Sequence, residues 1–581
     1  MIAPRARSPA LHGFAFGFRL SAGRIHSANP NTESGERRMT TSPHHETHHH
    51  PDQWKTRMGV ILAVAGSAVG LGNFLRFPGQ AAANGGGAFM IPYFVALLLV
   101  GIPVAWAEWI MARYGGRKGL HSAPAIYGVL GRGGIWRYIG VLGVLIPLAV
   151  SFYYTFIEAW CLGYMWKYLS GGIGIDHTAP IDQQTAIASS FYNNFTGMTA
   201  NGIVYGGSYE TLIFWIITFA ANIWLVYRGL SGGIEKFTRW AMPMMAVAAV
   251  IVLVRVLTLG TPDPTKPDQN VINGLGYMWN PDFTALSNPQ TWLAAAGQIF
   301  FSLSIGFGII INYASYLTKK DDVVLSGLTA TATNELFEVG FGGLITLTAA
   351  FIFLGLSGTA AAVATGTFGL GFNTLPVVFA HMGVFENFIG AVWFFMLFLA
   401  AITSSISMYQ PALAFFREAL GMGRKGGVAL VVGICGVGSF LTMYFSKDGV
   451  FLSTLDNWVG TFLIVFLALI QMIIYSWIFG VDRGIRESQD GAEMQIPRFY
   501  RPIMKYVSPL YLLVIFVAFA IGNLGDWIRA LMADKIALLA MALIGAVTVM
   551  LLVMVRIGEK RWRAAGIDIN DDNPITYGET R

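Results

Sequence analysis

Residues 65–78 read Ala65-Gly66-Ser67-Ala68-Val69-Gly70-Leu71-Gly72-Asn73-Phe74-Leu75-Arg76-Phe77-Pro78, inside an apolar stretch long enough to cross a bilayer. Gly66, Gly70, Gly72, Asn73 and Arg76 have no use on a helix that only faces lipid. A helix broken at mid-membrane uses them, because its freed carbonyls and amides can bind ions and a small solute.

Composition agrees. Of 581 residues, 54% are hydrophobic and only 12% charged, about half the charge of a soluble domain. The net charge of +6 suits loops facing anionic lipid and gives no reason to invoke nucleic acid. Cys161 and Cys435 lie in apolar runs without metal spacing and read as small core residues. The spans carry no HExxH or GxSxG set, so no enzyme is indicated.

The chain is expected to be all-α and integral to the membrane. About twelve segments reach spanning length: 57–82, 87–114, 136–169, 209–227, 237–257, 291–317, 324–354, 385–420, 426–445, 450–479, 506–524 and 535–557. Residues 1–53 form a polar tail, read as disordered, with Met39 a candidate start. The tail's apolar stretch is interrupted by Arg19 and lacks a clear cleavage site, so it does not read as a signal peptide. Its run His44-His45-Glu46-Thr47-His48-His49-His50 has metal binding as an alternative reading. Residues 54–557 are the membrane domain, and 558–581 a short charged tail.

Loop charges set an orientation. The loops after the second, fourth, eighth and tenth spans are basic (Arg113, Arg117, Lys118, Arg132 and Arg137; Arg228, Lys236 and Arg239; Arg424 and Lys425; Arg483, Arg486, Arg498 and Arg501), which places them and both termini in the cytoplasm. The uncharged stretch 355–384 is expected to fold back as a lid over an outer vestibule. A second interruption, Ser302-Leu303-Ser304-Ile305-Gly306-Phe307-Gly308, falls in the sixth span. The two breaks lie five spans apart, and an odd number of spans per repeat inverts the second repeat relative to the first. Close helix packing through glycine is the bland alternative.

These residues resemble the neurotransmitter:sodium symporter family, most closely its bacterial leucine-transporter branch. The resemblance rests on 65–78; on Asn84-Gly85-Gly86-Gly87-Ala88-Phe89-Met90-Ile91-Pro92-Tyr93; on Gly101-Ile102-Pro103 with Glu108; on Gly297-Gln298-Ile299-Phe300-Phe301-Ser302-Leu303-Ser304; on Ser326-Gly327-Leu328-Thr329 before Asn334-Glu335; and on Thr403-Ser404-Ser405. It implies a 5+5 inverted repeat, 57–257 and 291–479, with two peripheral helices in 506–557.

It also implies sodium-coupled, alternating-access import of a neutral, apolar amino acid such as leucine, alanine or methionine. A bacterial inner membrane is the expected location, and homodimerisation is left open. One sodium would take the Ala68 carbonyl, Asn73, Ser302, Asn334 and the substrate carboxylate. The second would take the carbonyls of Gly66, Val69 and Ala400 with the hydroxyls of Thr403 and Ser404. For those two hydroxyls, back-bonding to their own helix is the alternative.

By the same resemblance the substrate carboxylate would meet the amides of Leu71 and Gly72 and the Tyr154 hydroxyl, at the positive end of a half-helix. Carbonyls of Ala68, Phe301 and Ser302, with Ser304, would take the ammonium. Val150, Phe301, Phe307, Ser404 and Met408 would line the side-chain pocket. In members that carry monoamines the position of Gly70 resembles an aspartate, so glycine there implies a substrate with its own carboxylate. Arg76 and Asp456 resemble an outer gate, with Gln298 on the same path. Trp54, Tyr316 and Glu418 belong to the inner gate, where Pro51 replaces an expected arginine. Glu108 would brace the broken sixth span. Gly233 and Pro243 match a fifth-span unwinding motif, with an ordinary proline kink as the alternative. Glu338 stands where chloride-dependent members have serine, which implies chloride independence and a proton moved in exchange.

Overall fold

The structure is a computed structural model and describes residues 53–132, 134–206 and 209–564. Most of the N-terminal tail, with its histidine run and Pro51, and the residues after 564 lie outside the described residues. The described residues are mainly helical, with one isolated β-bridge between Gly86 and Pro281 and no strand among them.

Among the described residues, ten helical stretches are long and apolar enough to span a bilayer: Gly87–Gly116, Gly134–Leu169, Tyr209–Tyr227, Leu230–Leu257, Val323–Ala364, Gly383–Leu420, Arg424–Tyr444, Lys447–Gln489, Tyr500–Ala533 and Lys535–Ala564. The other two of the expected twelve are discontinuous. The first span consists of Arg57–Ala68 and Gly72–Ala83, bent by 49°. The sixth consists of Pro289–Leu303 and Ile309–Tyr313. These are the two spans in which the sequence places its breaks.

Each break has a local cause. Val69 leaves the helix in an extended conformation (φ −70°, ψ 107°). Asn73 Oδ1 then accepts from the Gly70 amide at 2.8 Å, which ties the break back to the first turn of the outer half-helix. In the sixth span, Ser304, Gly306 and Gly308 all adopt positive φ (52°, 74° and 85°). Glycine takes this region freely, and a serine there is a strained exception. A side chain on Gly308 would also meet the Gly143 carbonyl at 2.2 Å.

The third and eighth spans pack along each other at the centre. In both, 83% of the most apolar window is buried, against 22% and 28% in the eleventh and twelfth, which lie at the periphery. Lipid is as apolar as the helix surfaces, so close contact and buried hydrogen bonds hold the bundle together. One buried cluster joins three spans: Glu158 takes Asn222 Nδ2 at 3.0 and 2.9 Å and Ser405 Oγ at 2.8 Å.

One expectation is corrected. Residues 355–384 are largely helix rather than open loop. The seventh span continues to Ala364 across a kink at Gly355 (φ 67°), and Gly366–Ala380 forms a further apolar helical stretch. In the fifth span, Glu235–Leu257 runs unbroken through Pro243, and Gly233 sits in a π-helical turn before it.

Candidate functional site

The breaks of the first and sixth spans face one another across a cavity of about 300 Å³. It is lined by ten of the eleven residues expected to touch substrate: Ala68, Leu71, Gly72, Val150, Tyr154, Phe301, Ser304, Phe307, Ser404 and Met408. The eleventh, Ser302, lies behind the wall, 1% exposed. The Tyr154 hydroxyl stands beside the Leu71 amide and the Ser404 hydroxyl. A Cβ on Gly70 would lie 3.0 Å from that hydroxyl and 3.9 Å from the Ala68 carbonyl.

Two clusters of oxygen-rich groups flank the cavity. In one, Asn73 Nδ2 donates to Asn334 Oδ1 at 2.9 Å and Asn334 Nδ2 donates to Ser302 Oγ at 2.6 Å. In the other, Ser404 Oγ is 3.5 Å from the carbonyls of both Gly66 and Val69 and 3.0 Å from that of Ala400. Thr403 Oγ1 donates to the Leu399 and Ala400 carbonyls at 2.9 and 3.1 Å. This is the back-bonding the sequence left as an alternative, and it coexists with the convergence on the first break. Sequence reasoning missed Ser67. Its carbonyl takes both Ser304 Oγ (3.2 Å) and Ser404 Oγ (3.1 Å), linking the sixth and eighth spans to the first break. Nothing in the side-chain pattern marks a backbone carbonyl for such a role.

Glu338 is fully buried beside the first cluster, in a π-helical turn, Leu336–Gly342. Asn73 Nδ2 (3.0 Å), Ser302 Oγ, Gln298 Nε2 (2.9 Å) and Tyr93 Oη (3.0 Å) all donate to it. Gln298, expected on the path of the outer gate, donates its amide to Glu338. Tyr93 also donates to Glu335 at 2.8 Å, a partnership the sequence does not announce. Glu108 Oε1 accepts from the Gly306 amide (3.2 Å) in the sixth-span break and from Gln471 Nε2 (2.6 Å).

Toward the outer end, Arg76 and Asp456 face the same cavity without forming an ion pair. Arg76 lies over the Phe301 ring at 4.4 Å, while Asp456 accepts from Tyr153 Oη at 2.7 Å. Thr367 and Phe368, from the stretch expected to be a lid, also line it. So do Phe519 and Trp527, which carry the peripheral eleventh span to the vestibule.

At the inner end, Trp54, Tyr316 and Glu418 each have a partner. Trp54 Nε1 donates to the Tyr313 carbonyl at 2.9 Å. Glu418 accepts from the amides of His121 and Ser122 and from the Ser122 hydroxyl. The His121 ring stacks on Tyr316 at 4.1 Å between centroids. Burial first, and then the Arg417 charge, hold the His121 imidazole down at about 4, so it is neutral at pH 7. The entrance to the first span is tied instead to Glu235, which accepts from the Lys55 amide and the Thr56 hydroxyl, each at 2.9 Å. Glu418 thus has loop partners that do not depend on position 51.

Comparison with known proteins follows the same geometry. The sequence profile of the Sodium:neurotransmitter symporter family matches residues 51–179 and 174–560. An uncharacterized sodium-dependent transporter of Methanocaldococcus jannaschii is 30% identical over 469 residues, covering 79% of this chain and 89% of the relative. The sodium-dependent neutral amino acid transporter B(0)AT1 of Mus musculus is 25% identical over 544 residues, covering 80% and 81%. The crystal structure of MhsT in complex with L-phenylalanine superposes with a TM-score of 0.66 at 25% identity, covering 81% of this chain and 99% of that one. The profile spans both breaks and every residue of the cavity between them, and the chain belongs to the sodium:neurotransmitter symporter family, whose members are transporters and not enzymes.

Proposed function

We propose that the protein imports neutral, apolar amino acids together with two sodium ions, independently of chloride. The observation that carries this is the convergence of two oxygen clusters and one uncharged cavity on the breaks of the first and sixth spans. Sodium prefers several hard oxygen ligands, and only broken backbone and short polar side chains supply them at this depth. The cavity floor at Val150, Phe307 and Met408 is apolar and suits an aliphatic or aromatic side chain. Gly70 leaves the amine of the substrate without a fixed anionic partner on the first span. The substrate carboxylate then sits at the half-helix amides of Leu71 and Gly72. A phenylalanine complex of a structural relative and the neutral amino acid relatives support the same class.

In this reading Glu338 supplies the negative charge that chloride provides elsewhere in the family. It releases a proton when sodium and substrate load, and regains one on the return. Both termini are cytoplasmic, following the basic loops. The test is a competition panel of amino acids against one labelled ligand on purified protein, with and without sodium. Neutral apolar amino acids should compete, and only with sodium present. Preference for amines or for charged amino acids would overturn the substrate assignment.

A further inference from the structure

On the lipid-facing side of the bundle, a cleft of about 400 Å³ lies between the fourth, fifth and eighth spans. Its floor is apolar, with Phe237, Phe395 and Leu399. At one end stand Arg228 and Lys236, both exposed. No acidic side chain lines the cleft. Among the described residues, neither cation has a carboxylate within ion-pair distance. Arg239, the next cation along, is already held by Glu235 at 2.9 Å and lies outside it.

Two tryptophans frame the basic end. Trp224 and Trp240 are 56% and 68% exposed, and the Arg228 guanidinium lies 5.0 Å over the Trp224 ring. Exposed tryptophans at a helix end mark the depth of the lipid headgroups. An apolar trough that ends in unpaired cations at headgroup depth is complementary to one molecule: an amphiphile with an acyl tail and an anionic head.

We infer that this cleft is a binding site for an anionic phospholipid, its phosphate on Arg228 and Lys236 and one acyl chain along Phe237, Phe395 and Leu399. The site does not depend on the identity of the transported solute. Its floor adjoins the second oxygen cluster, since the Leu399 carbonyl takes the Thr403 hydroxyl at 2.9 Å.

The test is native mass spectrometry of the full chain in detergent, titrated with phosphatidylglycerol and, separately, phosphatidylcholine. The wild type should retain phosphatidylglycerol in preference. Arg228→Gln with Lys236→Gln should weaken that retention on the order of tenfold or more, at about 1 kcal/mol per cation near the membrane surface. Lys425→Gln with Arg498→Gln, exposed cations outside the cleft, should leave it unchanged. Gly232→Leu tests the tail. A Cβ there meets no atom within 4 Å, so the chain should fold normally while the larger side chain displaces the acyl group. Soluble glycerol 3-phosphate should not compete. Equal loss in both double variants would assign retention to diffuse surface charge and overturn the site. So would a preference for phosphatidylglycerol that survives Arg228→Gln with Lys236→Gln.

Discussion

At the scale of single residues, Gly70 and Glu338 carry the most selective information. A side chain at position 70 meets the Tyr154 hydroxyl at 3.0 Å and Ser404 Oγ at 3.5 Å. Gly70→Ala should therefore raise the KM for the amino acid several-fold by displacing Tyr154. Gly70→Asp should abolish uptake, because a fixed carboxylate then competes with that of the substrate. Both outcomes are read from initial uptake rates. Glu338 has four buried donors around its two oxygens, a set that also fits a bound anion. Glu338→Ser should make uptake depend on external chloride. Unchanged, anion-independent transport by that variant would count against the exchange of roles.

Much of this was legible in the chain. Asn73, Ser302 and Asn334 come together in one cluster and Thr403 reaches the Ala400 carbonyl, and broken helices announce themselves through glycine and misplaced polarity. Ser67, Gln298 and Tyr93 were not legible in their roles. The first acts through its backbone carbonyl, and the other two through a rotamer that points at Glu338. No spacing rule encodes either.

At the scale of elements, the broken sixth span depends on its brace. Glu108 is buried, and it alone among the described side chains holds the Gly306 amide. Glu108→Ala should leave the Gly306 amide unsatisfied and Gln471 with only its Tyr127 hydroxyl partner, a loss of about 1–3 kcal/mol for a buried group. It should show as a lowered thermal midpoint with sodium-dependent binding weakened in parallel, and Glu108→Gln should retain more of both.

The inner clasp makes a separate prediction. His121 is held neutral with a pKa of about 4 against an ordinary value near 6.5. A depressed folded-state pKa means the unfolded chain binds the proton first. The stability that the stacked ring contributes is therefore present above pH 6.5 and is lost as the pH falls toward 4. His121→Phe keeps the stack on Tyr316 and should remove that component from the pH dependence of melting. Helix boundaries and breaks could be read from sequence. The partners of Glu418 could not, because His121 and Ser122 are distant in sequence and reach it only in three dimensions.

At the scale of the whole molecule, the two breaks must act as one device. The seventh span crosses the first so closely that a side chain on Gly342 would lie 1.9 Å from the Asn73 carbonyl. Gly342→Leu should push the first break out of register and abolish sodium-dependent binding, even where the protein still inserts and purifies. The energetics set a further bound. With the proposed two sodium ions and a zwitterion, two charges would move, so a potential of 100 mV would supply about 4.6 kcal/mol, roughly a 10³-fold gradient. A proton leaving in exchange would halve that electrical contribution.

The most direct measurement is uptake of a labelled neutral amino acid into proteoliposomes carrying the purified protein, with an inward sodium gradient. Accumulation above the external concentration, abolished when the gradient is dissipated, is the expected result. Tight amino acid binding without any sodium-driven accumulation would contradict the symport reading and would make the protein a sensor built on the same site.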